Sequence, residues 1–296
     1  MSAARAYRLK EGEPLPEGIA LVARGRIDHA TAELLGRTDS TPEEAVHEAR
    51  KDLKKLRALL RMVRGELGED TFRRENACFR DAGRELAGVR DDDVLLDSLK
   101  SLDLPAEMEL ELRKKIEAHR ATAGEDGRAT ASGGVVVMLR EARGRVEDWP
   151  LERDSFDALN QGLRRSYRRG RRNFRAARSD PTVEALHEWR KRVKELWYHH
   201  ALLRSLWPPV MQAFGNQAHE LANQLGDDHD LAVLAEWVHE HAEADTTFFD
   251  AVDARRAELQ SKAMQLGERL YADKPSAYVS RLRCLWEASQ TSVRAP

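Results

Sequence analysis

At 296 residues the chain is long enough for two domains or one large core. Its 41% hydrophobic and 34% charged residues suit a helical protein with a heavily charged surface, and no apolar run approaches the roughly 18 residues of a membrane span. Two cysteines without CxxC spacing, Cys78 and Cys284, argue against a zinc site or a disulfide framework, and a reduced cytoplasmic compartment is expected.

Apolar residues recur at three- and four-residue spacing along most of the chain, and no run alternates like a strand. Helices are therefore expected at about 16–36, 42–65, 70–88 and 91–120. Thr41-Pro42-Glu43-Glu44 supplies a capping side chain before a proline for the second of these, and Asp70-Thr71 can open the third. From Thr122 to Gly134 the chain turns Gly/Ala/Ser/Thr-rich and reads as a linker, extended by a helical stretch from Val135 that Trp149-Pro150 ends. Further helices follow at 152–178, 181–206, 209–226 and 230–244, with Asp154-Ser155 and Asp180-Pro181 as start signals, and then at 251–270 and 276–288. The expected units are residues 1–121, a connecting segment 122–150, and residues 151–296 with extra C-terminal helices.

One segment occurs twice, 140 positions apart. Ala45-Val46-His47-Glu48-Ala49-Arg50-Lys51-Asp52-Leu53-Lys54-Lys55-Leu56-Arg57 returns as Ala185-Leu186-His187-Glu188-Trp189-Arg190-Lys191-Arg192-Val193-Lys194-Glu195-Leu196-Trp197. A second pair supports the duplication: Leu86, Asp91, Val94 and Leu95 align with Leu225, Asp230, Val233 and Leu234 at an offset of 139. Each half then reads as helix, His-bearing helix, helix, Asp-led helix, which gives an all-α fold of two pseudo-symmetric four-helix bundles. Asp91 and Asp230 read as helix caps. Trp189, Trp197 and Trp207 read as core or its rim.

The net charge of −2 conceals a polarised chain. Residues 47–64, 164–178 and 187–197 together hold nineteen Lys/Arg against four acids, so the remainder is acidic. On the helix after Pro42, the apolar seam is Val46, Ala49, Leu53, Leu56, Leu60 and Val63. His47, Arg50, Lys54, Arg57 and Arg61 form a stripe about 110° around from it. Lys51 lies nearly opposite the core. Arg164, Arg168, Arg171, Arg175 and Arg178 form a similar flank on the next arginine-rich helix, as do His187, Arg190 and Lys194 on the repeated one. Cations packed without acids repel, so they persist best facing a multivalent anion. Arginine forks and lysine ammoniums match phosphoryl oxygens, and a nearby phosphate favours a charged imidazole. A long polyphosphate or similar polyanion in a groove is the expected ligand. Tyr167 suits phosphate contact or core equally well.

The paired His-x-x-Arg-Lys helices, the Arg90-Asp91 and His229-Asp230 turns, and the Tyr167-x-x-Gly170-Arg171-Arg172 helix resemble the CHAD domain, the conserved histidine α-helical domain. The likeness runs from about Pro16 to beyond Trp237. It implies two four-helix bundles packed around a basic central groove or pore, and binding of inorganic polyphosphate, with other polyanions held more weakly. It also implies association with polyphosphate granules. Carried over by position, it points to His47, Arg50, Lys51, Lys54, Arg57 and Arg61 in one half. In the other it points to Tyr167, Arg168, Arg171, Arg172, His187, Arg190, Lys191 and Lys194. Glu195 and Trp197 depart from Lys55 and Arg57, so the second stripe ends sooner. Such domains sometimes follow a CYTH triphosphatase; residues 1–15 are too short for one, and Glu109-Leu110-Glu111-Leu112-Arg113 lacks its lysine.

No nucleophile elbow, P-loop or HExxH is present, so a non-catalytic binder without metal or cofactor is expected. Two alternatives are a helical metal phosphohydrolase built from His199 or His200, His229-Asp230 and Asp253, and an RNA-binding module. The first uses pairs that arise by chance among ten histidines, and the second lacks aromatic platforms on the basic faces.

Overall fold

The computed structural model describes residues 5–86, 91–122, 128–243 and 245–294. These form helices and no strands: α1 (Leu15–Leu34), α2 (Pro42–Met62), α3 (Arg64–Glu85), α4 (Asp91–Lys100), α5 (Ala106–Thr122), α6 (Arg128–Arg145), α7 (Asp157–Ser179), α8 (Val183–Leu202), α9 (Pro208–His241), α10 (Thr246–Leu270) and α11 (Pro275–Arg294). Ala87–Arg90 and Ala123–Gly127, which hold part of the second repeat and of the expected linker, lie outside the described residues, as does the Asp91 side chain.

The caps explain several boundaries. Thr41 and Glu44 form a reciprocal capping box, Glu44 N donating to Thr41 Oγ1 at 3.3 Å and Thr41 N to Glu44 Oε2 at 2.8 Å, with Pro42 in the first turn of α2. In the second repeat Thr182 caps α8 by accepting from Ala185 N at 3.2 Å, so that helix starts two residues later than Asp180-Pro181 suggests. Asp154 opens no helix of its own. Its Oδ1 accepts from Leu15 N at 2.7 Å and so caps α1 from across the fold. The third helix starts earlier than expected, bending at Gly68, whose φ of 70° is left-handed.

Two expected helix divisions change. The single helix over 91–120 is broken at residues 101–105, where Pro105 cannot continue the helical hydrogen bonding. Conversely, 209–226 and 230–244 are one 34-residue helix, α9, because Gly226 keeps helical geometry. Asp230 is therefore mid-helix and not a cap.

Packing also departs from the expected division at 121 and 150. α6 places Val135, Leu139 and Ala142 in the main core and packs on α1 and α3, completing a four-helix group with α2. The segment read as a connection is thus structural. α4 and α5 leave this group and pack with α9 and α10: Leu95, Leu99, Leu112 and Ile116 meet Leu231, Leu234, Val238 and Phe248 in a second core. The main core runs without interruption from α1 through α11 and so joins both sequence halves. α10 lies along α9, and α11 lies on α7. Trp189 is fully buried, but Trp207 is 51% exposed and belongs to neither the core nor its rim.

The halves meet where α2 crosses α7 and α8. At the first crossing a Cβ on Gly162 would lie 1.9 Å from the Met62 carbonyl oxygen, so only glycine allows the two backbones this close. Gly162→Ala must push α7 off α2. We expect a loss of about 3 kcal/mol in stability, in the upper range of overpacking effects. An unchanged thermal midpoint in the variant would refute this crossing.

Candidate functional site

A cavity of about 380 Å³ opens between α2 and α8, with the middle of α9 at one side. From α2 come Arg50, Lys54, Arg57 and Arg61. From α8 come His187, Arg190, Lys191, Arg192, Lys194, Glu195 and Tyr198, and α9 adds His229. The repeated segments therefore confront each other: Arg50 and Arg190 share the cavity, as do Lys54 and Lys194, their aligned pairs. Each helix buries its seam (Ala49, Leu53 and Leu56 on α2; Trp189, Val193 and Leu196 on α8) and turns its flank into the shared space.

Glu195 anchors the floor. It is 3% exposed, receives Arg192 Nη1 at 2.8 Å and a bond from Ser166 Oγ, and lies 3.6 Å from Arg61 Nε. Burial pushes its carboxyl up, but Arg61, His199 and Arg192 outweigh that and hold it below its ordinary value. The departure from Lys55 thus does more than shorten a stripe. In the first repeat, buried Asp52 pairs with Lys55 at 2.9 Å and also meets Arg26 at 3.2 Å and His29 at 2.7 Å. At the matching positions the signs are exchanged, and Arg192 pairs with Glu195. Each repeat keeps a buried i,i+3 ion pair, and only the second sets its acid beneath the cavity.

The cations above are uncomfortable. Burial lowers Arg57 to about 10, helped by Arg61 and Arg80. Burial also lowers Arg61. His187 falls to about 4 through burial first, then His229, Lys191 and Arg190. Its ring centroid is 4.6 Å from that of His229, and Nδ1 of each is buried without a hydrogen bond. Arg190 reaches the cavity across α9 at Gly226, where a Cβ would lie 2.5 Å from its Nη2. Such an arrangement attracts an anion with several acceptor oxygens, because each oxygen relieves repulsion among its hosts.

Not every candidate arrives here. Of the fourteen residues named from sequence, Arg50, Lys54, Arg57, Arg61, His187, Arg190, Lys191 and Lys194 line the cavity; His47 and Lys51 do not. Lys51 is held by Glu48 at 2.6 Å, and Lys191 is held by Glu188 in the same way. The α9 residue His229 aligns with Arg90, so the first-half counterpart of its contact with His187 lies outside the described residues.

On α7 the expected flank turns elsewhere. Tyr167 is core: its hydroxyl donates to Leu270 O at 2.9 Å, its ring stacks on Tyr278 at 4.0 Å, and burial raises it to about 12. Arg171 Nε donates to Tyr271 O at 3.1 Å, Arg178 pairs with Glu268 at 3.0 Å, and Arg168 and Arg172 are exposed outside the cavity. The arginine of α7 that feels the floor is Arg169, lowered by burial and then by Arg192, with Glu195 opposing. It lies three residues after Ser166, the Glu195 donor. In sequence α7 carries arginines on both flanks of its seam, and only the tertiary contacts select between them.

The proposed metal constellation does not assemble. His199 donates from Nε2 to Ala58 O at 3.0 Å, and His200 Nε2 bonds Tyr278 Oη at 3.0 Å; both rings are buried. Among the described residues, no three His, Cys, Asp or Glu side chains converge as metal ligands. No helix among them is long and apolar enough to cross a membrane.

An all-helical fold with two repeated helices facing each other across a cationic cavity defines the class. The family model described as CHAD domain matches residues 22–239, and the chain belongs to that family. The crystal structure of the CHAD domain from the plant Ricinus communis is similar in fold, with a TM-score of 0.63 over 96% of each chain at 18% identity. Comparison with the curated proteins found no match.

Replacing Glu195 by Gln removes the anchoring charge and leaves Arg61 and Arg192 uncompensated. We expect a destabilisation of about 3 kcal/mol, as for a broken buried ion pair. Urea unfolding reads it, and sulfate should restore part of the loss in the variant. Equal unfolding midpoints for both proteins would remove Glu195 from this role.

Proposed function

We propose that this protein is a non-catalytic binder of inorganic polyphosphate, gripping the chain of phosphoryl units between α2 and α8. The observation that carries the reading is the convergence of eight arginines and lysines from the two repeated helices around one cavity. Family membership supports it, since the resemblance of these motifs to the CHAD domain implies this ligand. The chemistry fits. Guanidinium forks bind phosphoryl oxygens in pairs, while Lys54, Lys191 and Lys194 act as point charges that tolerate a sliding, repetitive ligand. Retention of the bound chain is the role this reading assigns to the cavity. On this reading the protein accompanies polyphosphate granules in the cytoplasm.

The decisive experiment compares long polyphosphate with the Arg50→Ala/Arg190→Ala double variant and with single-stranded RNA as competitor at fixed salt. Each lost guanidinium removes a charge-assisted contact of about 1.5–3 kcal/mol, so affinity should fall by roughly 100-fold or more while helical content is unchanged. Undiminished binding, or RNA winning at equal phosphate concentration, would refute the reading.

A pH dependence follows from His187. With its free value near 4, the ring is neutral at pH 7, and a bound polyanion raises that value. Protonation is then favoured in the complex, so affinity increases as pH falls from 7 through the bound-state value, and the gain is complete below about 4. In His187→Ala the slope of log affinity against pH should flatten. A slope identical to wild type would exclude His187 as the proton acceptor.

A further inference from the structure

A second cavity, about 620 Å³ in volume, lies between the first turns of α9, the end of α10 and α11. It shares no lining residue with the cationic one. Its wall is apolar: Met211, Phe214, Leu270, Tyr278 and Leu282 supply most of it, and the size falls in the roughly 300–1,000 Å³ range of small-molecule sites. Two of the exposed large hydrophobic residues among those described, Trp207 and Val210, stand at this one opening.

The polar groups around it have one sign. Arg269 and Arg281 line the cavity, and no Asp or Glu does. Arg281 already holds the Asp273 carboxylate at 2.7 Å, and Arg269 makes no ion pair among the described residues. A guanidinium has donors for more than one carboxylate oxygen, so Arg281 can keep Asp273 and accept a second anion. Inside, His200 is 3% exposed and lines the wall, its ring stacked 4.2 Å from that of Phe214; its Nδ1 is buried with no hydrogen bond. An apolar pocket with an unpartnered buried polar atom and two cations has the complement of an amphipathic anion.

We propose that this cavity binds a single-chain fatty carboxylate, its hydrocarbon tail against Phe214, Leu270 and Leu282 and its head group at Arg269 and Arg281. A protein partner fits less well. The other exposed large hydrophobics, Leu35, Leu110 and Val137, lie on α5, α6 and the end of α1, so no broad apolar patch continues outward from the mouth.

Calorimetric titration of the full chain with dodecanoate, below its micelle threshold, tests the assignment. Saturable one-to-one binding is expected, weakened at least tenfold in Arg269→Ala/Arg281→Ala. In Val210→Glu a new charge stands at an exposed position of the mouth, so folding is preserved and binding should be lost. Dodecyltrimethylammonium should not compete, and polyphosphate affinity should be unchanged in both variants. The assignment is overturned by absence of saturable binding, by equal binding of the cationic amphiphile, or by full affinity in Val210→Glu. It is also overturned if the free protein dimerises through this face and Val210→Glu dissociates the dimer, since the occupant is then a second copy.

Discussion

Eight arginines and lysines crowd the cavity between α2 and α8, and Glu195 is the carboxylate that lies beneath them. Like charges this close oppose the packing of the two helices, and the opposition grows as water is excluded. Glu195 offsets part of it from below by binding Arg192, Ser166 and Arg61 across three helices. It leaves the rest of the positive potential directed into the cavity. The first repeat carries its ion pair in the reverse order along the helix, burying Asp52 under Lys55, Arg26 and His29 away from the cavity. One duplicated helix is thus neutralised behind its cationic face and the other beneath it.

That anchor works only if α2, α7 and α8 stay in register. Gly162 brings the Met62 backbone against α7, and His199, buried on α8, donates to the Ala58 carbonyl on the helix opposite. Histidines that invited a catalytic reading are here packing and hydrogen-bonding groups. Neutral imidazoles suit that task, because burial lowers His199 and takes His200 to about 3. The cavity is therefore held by polar contacts of low net charge beneath a layer of high charge. Burial, reinforced by neighbouring cations, lowers Arg57 to about 10 and His187 to about 4, so near neutral pH the arginine keeps its charge and the imidazole does not.

Much of this was legible before any tertiary contact was known. The all-helical class follows from the periodicity, the capping box at Thr41 stands in the letters, and eight of fourteen named residues line the cavity because a repeated charge pattern is a local property of two helices. The misses have a common cause. α7 has two arginine flanks of equal quality, and periodicity locates a flank but not the neighbour it faces. Tyr167 and Arg171 went to α10 and the start of α11, whose placement the sequence does not encode locally. The start of α6 likewise reads as linker because it is rich in glycine and small residues, yet Val135, Leu139 and Ala142 carry the helix into the core against α1 and α3.

From the amino-acid order alone came the helices, the duplication, and the cationic flank that each repeated helix must carry, since these depend on residues within a few turns of one another. The partner of each flank, the exchange of α4 and α5 for α6 in the first group of helices, the burial of Glu195 and the fusion of two expected helices into α9 came from the folded chain. Those choices rest on which apolar faces fit together across more than a hundred residues. Local spacing carries no record of that fit.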